Sequence, residues 1–213
     1  MTSRKIYDIS HTLKNNFPVW PGDPPGVIQI DTSMENGDEY NSSSIKSSLH
    51  WGTHMDAPAH LFHDKLTIDR LPLDLLVGPV KVIHFPETMQ ITADLLQPIN
   101  LQKYQRVLFK TRNSEFWSIP EPSFRKDFTA LTEDAAIHLV NSGIKLVGID
   151  YFSLDLFESA SLPVHKILYQ QNIIGLECLD LREISEGDYD LICLPIKIWR
   201  GDGAPARVLL LEK

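Results

Sequence analysis

The sequence contains few cysteines and no long apolar segment, and each absence argues against a class of protein. Only two cysteines occur among the 213 residues, too few for the disulfide framework of a small secreted domain. No apolar run approaches the roughly 18 residues that a membrane-spanning helix needs. The first ten residues, MTSRKIYDIS, also lack the apolar core of a signal peptide. We therefore predict a cytoplasmic protein that does not enter a membrane.

Basic residues are also in short supply. Lys and Arg together number 20 against 28 Asp and Glu, which gives a formal net charge of -8 at pH 7. Nucleic-acid binding depends on a cationic face that neutralises phosphates, so we expect no nucleic-acid partner. Hydrophobic residues make up 43% of the chain, and a chain of this length buries roughly 70% of its unfolded surface. These values predict one domain over residues 1–213.

Short β-rich segments alternate with helical segments along most of the chain. Asn36-Gly37 predicts a hairpin turn, because this pair favours the tight turns of hairpins. Thr132 and Gly143 are typical of the two ends of a helix, and the apolar spacing after Pro163 indicates another helix. Near-continuous apolar runs predict strands covered on both faces. They are residues 80–85, 106–110, 145–150, 173–176, 191–194 and 207–211. We predict an α/β fold, α+β mixed, with a mixed central sheet and three layers.

Histidine is concentrated in one short segment. Four of the eight histidines lie within residues 50–63, which read HWGTHMDAPAHLFH and also contain Asp56. A straight strand would separate His50 and His54 by about 13 Å, too far for two ligands of one ion. The glycine and proline within the segment disfavour a regular helix. We therefore predict that the chain bends at Gly52 and curls around a metal or catalytic site.

The residue types in this segment restrict the metal and leave three functions open. Imidazole with carboxylate suits zinc, manganese or iron better than calcium or magnesium. One hypothesis is metal-assisted hydrolysis, in which bound metal lowers the pKa of water towards about 7 and supplies hydroxide. A second is a non-haem Fe(II) oxygenase, because His54, Asp56 and the distant His165 match its two-His-one-carboxylate triad. A third is a non-catalytic metal-binding protein.

Residues 50–60 resemble the signature of a known family. They read HWGTHMDAPAH, which matches the HxGTHxDxPxH signature of the cyclase family of metal-dependent hydrolases. That family includes bacterial kynurenine formamidase (arylformamidase) and isatin hydrolase. Further segments resemble the family in the same order, so the resemblance extends over nearly the whole chain. They are residues 78–80, 111–112, 148–155, 162–165, 177, 186–189 and 202–207.

The resemblance implies a set of metal ligands. His50, His54 and Asp56 would bind a first ion. Asp56 would bridge to a second ion held by His165 and by Glu177, which follows twelve residues later as the family spacing requires. The implied cofactor is zinc, with one or two ions per subunit, and manganese is the alternative.

The resemblance also implies a reaction and two further site residues. His60 would be the catalytic acid/base, and Trp20 would contact the substrate. The expected reaction is hydrolysis of an amide C–N bond by metal-bound hydroxide, with N-formylkynurenine giving kynurenine and formate, as in tryptophan catabolism. The alternative substrate is a cyclic amide or lactone such as isatin. Family members share a swivelling β/β/α fold and are commonly dimers, so we expect a homodimer that acts on a small molecule.

Overall fold

The computed structural model describes residues 4–120, 122–159 and 161–213. Its strands are β1 (Ile6–Asp8), β2 (Val27–Thr32), β3 (Ser42–Lys46), β4 (His54–Asp56), β5 (Val77–Phe85), β6 (Gln90–Ile91), β7 (Arg106–Thr111), β8 (Ala130–Leu131), β9 (Leu146–Ile149), β10 (Ile174–Glu177), β11 (Gly187–Pro195) and β12 (Gly203–Glu212). The α-helices are α1 (Leu73–Leu76), α2 (Ala93–Leu96), α3 (Glu133–Asn141) and α4 (Pro163–Gln170). Single 3-10 segments are Met34–Asn36, Pro58–His60, Ile68–Arg70, Leu101–Lys103 and Arg112–Ser118. Within these described ranges, no helix is long and apolar enough to cross a membrane.

A mixed β-sheet organises the fold. Its strand order is β1-β12-β11-β5-β7-β9-β10-β4, and β4 pairs again with β12. The seven strands from β12 to β4 therefore close into a barrel-like arrangement, while β1 extends one edge of β12. Strands β5, β7, β9 and β10 run parallel to one another, and the remaining pairings in this sheet are antiparallel. The predicted mixed sheet is confirmed, whereas its closure was not predicted.

The apolar runs of the sequence lie in the strands, as predicted. All six coincide with β5, β7, β9, β10, β11 and β12. In β7, β9 and β10 the side chains are covered on both faces because alternate residues enter different cores, whereas β11 and β12 leave alternate residues more exposed, with Leu194 at 49%. Along β7, Val107 and Phe109 pack in a core with residues of α3 and α4, whereas Leu108 packs in the core on the opposite face. This double burial explains why β7, β9 and β10 lack polar alternation.

The predicted turns and helix ends are confirmed, with one difference in the capping. Asn36 and Gly37 lie in the connection of the antiparallel hairpin β2–β3, and α3 ends just before Gly143. Thr132 precedes α3, but its side chain makes no capping bond to the helix. Its Oγ1 donates instead to the carbonyl of Ile91, 3.0 Å away. The side chain thus links α3 to the small parallel pair β6–β8.

An aromatic cluster holds the loop that follows β1. The ring of His11 packs on Trp117 at a centroid distance of 4.2 Å, and Phe17 stacks on the same indole at 5.7 Å. The backbone N–H of His11 donates to Thr53, directly before β4, at 2.9 Å. These contacts fix the path of the chain towards Trp20. Burial lowers the pKa of His11 to about 4, so its neutral form packs in the folded protein.

We expect this histidine to make the protein sensitive to acid. Its pKa falls from 6.5 to about 4 on folding. The contribution of the neutral ring to the free energy of unfolding is therefore fully present above pH 6.5 and is lost as the pH falls from 6.5 to about 4. Protonation should remove about 2 kcal/mol of unfolding free energy between pH 7 and pH 5. Urea unfolding at both pH values should show that loss in the wild type and a smaller one in His11→Gln. The variant His63→Gln, at an exposed histidine, serves as the control. An equal loss of unfolding free energy in the wild type and in His11→Gln would show that His11 is not the source of the acid sensitivity.

Candidate metal centre

The short strand β4 presents two of the predicted ligands side by side. His54 and Asp56 are two residues apart, so both side chains project from the same face of the strand. The chain before β4 turns back at Gly52, which has a φ of 70°, and this turn brings His50 to the same place. The bend predicted at Gly52 is therefore confirmed. Leu13 fills the space where a side chain at Gly52 would lie.

Strand β10, which pairs with β4, and helix α4 supply the two remaining ligands. Glu177 at the end of β10 lies opposite His54 in the antiparallel register. His165 lies in the first turn of α4, and its Nε2 is 3.1 Å from Oε1 of Glu177. Four of the five predicted ligands are fully buried, and His50 is partly buried. The fold thus brings together side chains from residues 50, 54, 56, 165 and 177.

The ligand atoms form two groups that share Asp56. Its Oδ1 is 2.7 Å from Nδ1 of His50 and 3.3 Å from Nε2 of His54. Its Oδ2 is 3.8 Å from Nε2 of His165, which neighbours Glu177. In each group the potential ligand atoms all lie within 4.8 Å of one another. The two oxygens of one carboxylate therefore face two possible cation positions.

The buried imidazole of His54 fits a bound cation. Its Nδ1 is 2.8 Å from the carbonyl of Gly52 and donates to it, which leaves the lone pair on Nε2 in the neutral ring. Among the described residues Nε2 is buried with no hydrogen-bond partner. It faces carboxylate oxygens of Asp56 at 3.3 Å and Glu177 at 3.5 Å. A proton on Nε2 or a bound cation must therefore lie between this nitrogen and the two carboxylates, and a divalent metal can fill that place when the ring is neutral.

The electrostatics of the cluster lead to the same requirement. Burial raises the pKa of the Asp56 carboxyl, but His50 and His54 hold it well below its usual range. Burial lowers the pKa of His50, yet Asp56 and Asp202 raise it to about 9. Burial also lowers that of His165, whereas Asp155 and Glu177 raise it to about 10. The carboxylates therefore demand cations, and metal binding here would displace protons from the imidazoles.

His60 and Trp20 border the same cavity as the ligands. His60 closes the 3-10 segment Pro58–His60, and its ring centroid is 4.3 Å from that of His50. Trp20 packs against Phe124 and Phe157 at centroid distances of 5.2 and 5.4 Å. The cavity is lined by the five ligand residues together with Trp20, Asp23, Ser48, His60, Phe152, Ser153, Leu162 and Asp202. The structure thus brings together every residue that the sequence singled out for the site.

Three residues of the site were not given roles from the sequence. Tyr169 donates its hydroxyl to Oδ2 of Asp56 at 2.8 Å. Its position four residues after His165 puts both side chains on one helix face, a spacing that could have revealed it. Asp155 contacts His165, and Asp202 contacts His50 and His60. Both aspartates lie in segments that resemble the family, but the resemblance itself assigned them no function.

Asp155 orients His165 through three hydrogen bonds. Its Oδ1 accepts the backbone N–H of Val164 at 2.9 Å, and its Oδ2 accepts that of His165 at 3.0 Å. The same Oδ2 is 2.5 Å from Nδ1 of the His165 ring. One carboxylate therefore accepts two backbone N–H groups in the first turn of α4 and also holds the ring of His165 so that its Nε2 is directed at Glu177.

Arg112, Arg207 and Tyr151 do not line the cavity. Arg112 donates to the backbone of Asp127, and Arg207 forms an ion pair with Asp8, so both make structural contacts. Tyr151 is buried and its hydroxyl accepts the N–H of Arg125 at 2.7 Å. The adjacent Phe152 lines the cavity. His63 is exposed.

Comparison with known proteins agrees with this geometry. The Cyclase family model matches residues 7–156. Kynurenine formamidase from Geobacillus thermodenitrificans is 35% identical, over 95% of this chain and 95% of that protein. A solved structure described as a potential metal-dependent hydrolase with cyclase activity superimposes with a TM-score of 0.86 at 33% identity, over 99% of both chains. Isatin hydrolase A from Labrenzia aggregata, bound to benzyl benzoate, has a TM-score of 0.83 at 25% identity, over 98% of this chain and 93% of that one.

The chain belongs to the Cyclase family. Together with the clustered histidine and carboxylate ligands, this membership supports a divalent metal at the site.

Asp155→Asn should weaken metal binding. The amide cannot accept all three hydrogen bonds that the carboxylate accepts, so the ring of His165 loses its fixed orientation. Loss of such a supporting partner typically costs about 10- to 100-fold in metal affinity. Isothermal titration of the metal-free protein with zinc measures the change, and Asp64→Asn, at an exposed position, is the control. Equal affinities in wild type and Asp155→Asn would show that Asp155 only caps the helix.

Proposed function

We propose that the protein is a metal-dependent hydrolase of an amide C–N bond, with an arylformamidase-like activity that converts N-formylkynurenine to kynurenine and formate. The observation that carries this proposal is the convergence of two cation positions, one imidazole and an aromatic wall on a single cavity. The similarity to kynurenine formamidase over 95% of both chains supports it. A metal would activate water and polarise the carbonyl, the imidazole would move a proton, and the aromatic wall suits an aryl amide.

Two ions are assigned to the two groups of ligand atoms. His50, His54 and Oδ1 of Asp56 would hold the first. Oδ2 of Asp56, His165 and Glu177 would hold the second. Zinc is the proposed metal and manganese the alternative, since both accept imidazole and carboxylate ligands. When bound, the metal would acidify water and polarise the substrate carbonyl.

His60 is proposed to move the proton that the reaction requires. Its Nδ1 is directed at Asp202, 3.3 Å away, so Nε2 is the ring nitrogen that is free to act. This nitrogen would accept a proton from the attacking water and deliver it to the departing amide nitrogen. Without such an acid the nitrogen would leave as an anion, which is unfavourable. The ring is half-buried and borders the cavity, as a proton carrier to substrate must.

Trp20 is proposed to bind the aryl group of the substrate. The indole packs edge-on against Phe124 and at an angle on Phe157, which keeps it at the cavity. Phe152 offers a second aromatic surface on the same lining. Aromatic walls of this kind stack on an aryl ring and exclude water from it.

A cyclic amide or lactone such as isatin is the second candidate substrate. The similarity to isatin hydrolase A over 98% of this chain favours it. Ring opening uses the same carbonyl addition and proton transfer, and the leaving atom stays attached to the product. The same aromatic walls would accept a fused bicyclic ring.

The proposal also covers the domain organisation, the oligomeric state and the cellular location of the protein. We infer that residues 1–213 act as one domain with the swivelling three-layer arrangement, because apolar cores cover both faces of the sheet. We also infer a cytoplasmic homodimer. Exposed apolar side chains on the hairpin β2–β3 support a contact between subunits. They are Ile30, Met34, Tyr40 and Ile45.

A substrate screen tests the proposed function. Protein stripped of metal with a chelator and reloaded with zinc or manganese should hydrolyse N-formylkynurenine with a higher kcat/KM than isatin, formanilide or a simple lactone. The metal-free protein should be inactive, because its carbonyl-polarising group is missing. Absorbance of the aromatic product measures the rate. A preference for isatin would favour the second candidate, and no hydrolysis by fully loaded protein would contradict both.

His60→Ala should remove turnover while leaving the metal in place. General acid–base catalysis contributes about 10²- to 10⁴-fold to a rate, and we expect kcat to fall by that amount. Metal content by elemental analysis should stay close to that of the wild type, because His60 is outside both ligand groups. His63→Ala, at an exposed histidine, is the control. If His60→Ala lost an ion, His60 would be a ligand instead.

A further inference from the structure

The carboxylate of Asp202 lies between the imidazoles of His50 and His60. Its Oδ2 is 2.9 Å from Nε2 of His50 and 3.3 Å from Nδ1 of His60. We propose that Asp202 is a positioning residue that fixes the tautomers of both rings, so that one ring becomes a metal ligand and the other a proton carrier. The proposal deepens the proposed function and rests on it.

The hydrogen-bonding chemistry of Asp202 determines which nitrogen of each ring is free. An ionised carboxylate only accepts hydrogen bonds, so each nitrogen that faces it carries a hydrogen. Neutral His60 is therefore protonated at Nδ1 and has its lone pair on Nε2. Neutral His50 is protonated at Nε2 and has its lone pair on Nδ1, which lies 2.7 Å from Oδ1 of Asp56. Two acceptors at that distance need a cation, so the same oxygen of Asp202 prepares His50 to bind metal.

The backbone around Asp202 is held firmly enough to define this geometry. The carbonyl of Asp202 accepts the N–H of Ala57 at 2.9 Å. The carbonyl of the preceding Gly201 accepts the N–H of Ile68 at 2.8 Å. On the other side, Gly203 is paired with Asp56 in the register of β12 and β4. Asp202 therefore enters the site from a segment that is bonded to the histidine-rich segment itself.

The glycine after Asp202 is required by the ring of His50. A Cβ at Gly203 would lie 2.8 Å from Cε1 of His50 and 3.0 Å from the carbonyl of Met55. Only glycine lets the imidazole lie this close to the backbone while its Nε2 reaches Asp202. The pair Asp202-Gly203 thus acts as a unit, in which the carboxylate orients the ring and the glycine makes room for it.

Asp202→Asn tests the proposal in the metal-loaded full chain, with N-formylkynurenine as substrate. The amide can donate a hydrogen bond to His60 and so allows the wrong tautomer, which in a Ser-His-Asp triad costs about 10⁴-fold in kcat. Here we expect kcat to fall by about 10²- to 10⁴-fold with little change in KM. At saturating zinc the number of bound ions should not change, because Asp202 orients a ligand without being one, although the zinc affinity should fall as it does for Asp155→Asn. Asp202→Ala, which removes the acceptor altogether, should give a similar loss.

The tautomers are read directly by nitrogen-15 NMR of histidine-labelled, zinc-loaded protein. In the wild type, His60 should carry its hydrogen on Nδ1, and in Asp202→Asn the population with hydrogen on Nε2 should increase. Asp202→Glu keeps an accepting carboxylate and should recover part of the rate. Asp180→Asn is the matched control, since Asp180 also lies near a histidine, 4.0 Å from Nδ1 of His11, but outside the cavity.

Two results would overturn the proposal. One is wild-type kcat together with wild-type tautomers in Asp202→Asn. The other is loss of a bound ion in that variant even at saturating zinc, which would make Asp202 a metal ligand with His50 and His60, a grouping that their distances also permit. If the wild type hydrolysed no substrate, the proposed function would fail, while the tautomer measurement would still decide the role of Asp202.

Discussion

The double pairing of strand β4 is the constraint on which the rest of the structure depends. This strand of three residues bonds to β10 on one edge and to β12 on the other, and so closes the sheet. The residues opposite Asp56 on its two sides are Gly175 and Gly203. A Cβ at Gly175 would lie 2.3 Å from the hydroxyl of Tyr169, and one at Gly203 would strike His50. The closed sheet thus leaves space on both sides of one carboxylate for the groups that hold it.

The site consists of buried carboxylates and imidazoles, and hydrogen bonds to neighbouring groups hold each imidazole ring in a fixed orientation. The rings of His54, His165 and His50 each have one nitrogen on a fixed acceptor, which is the Gly52 carbonyl, Asp155 or Asp202. The other nitrogen of each ring faces a carboxylate oxygen. Buried carboxylates are stable only when they are paired. The fold thereby defines where a cation could bind. Some of the acidic residues that give the chain its negative net charge lie at this centre.

The sequence predicted six of the strands and indicated a histidine-rich site from local patterns, and the resemblance to the family implied the full ligand set. Six strands could be predicted because each contains a run of apolar residues, which in β7, β9 and β10 reflects burial on both faces. The histidine-rich segment could be recognised because its three proposed ligands, His50, His54 and Asp56, lie within seven residues. Tyr169 and Asp202 were not assigned, because the side chains that they contact, Asp56 and His50, are more than 100 positions away in the sequence. Asp202 is 152 positions from His50, and no spacing rule connects such a pair.

The sequence by itself determined which chemical groups are available, which segments become strands, and which residues are candidate metal ligands. Those properties follow from residue type and short-range periodicity. Only the tertiary structure decided which nitrogen of each imidazole is free and which oxygen of Asp56 faces which group of histidines. It also decided that Trp20 borders the same cavity as His165. These facts depend on hydrogen-bond directions and strand pairings between distant parts of the chain, which exist only once the sheet has closed.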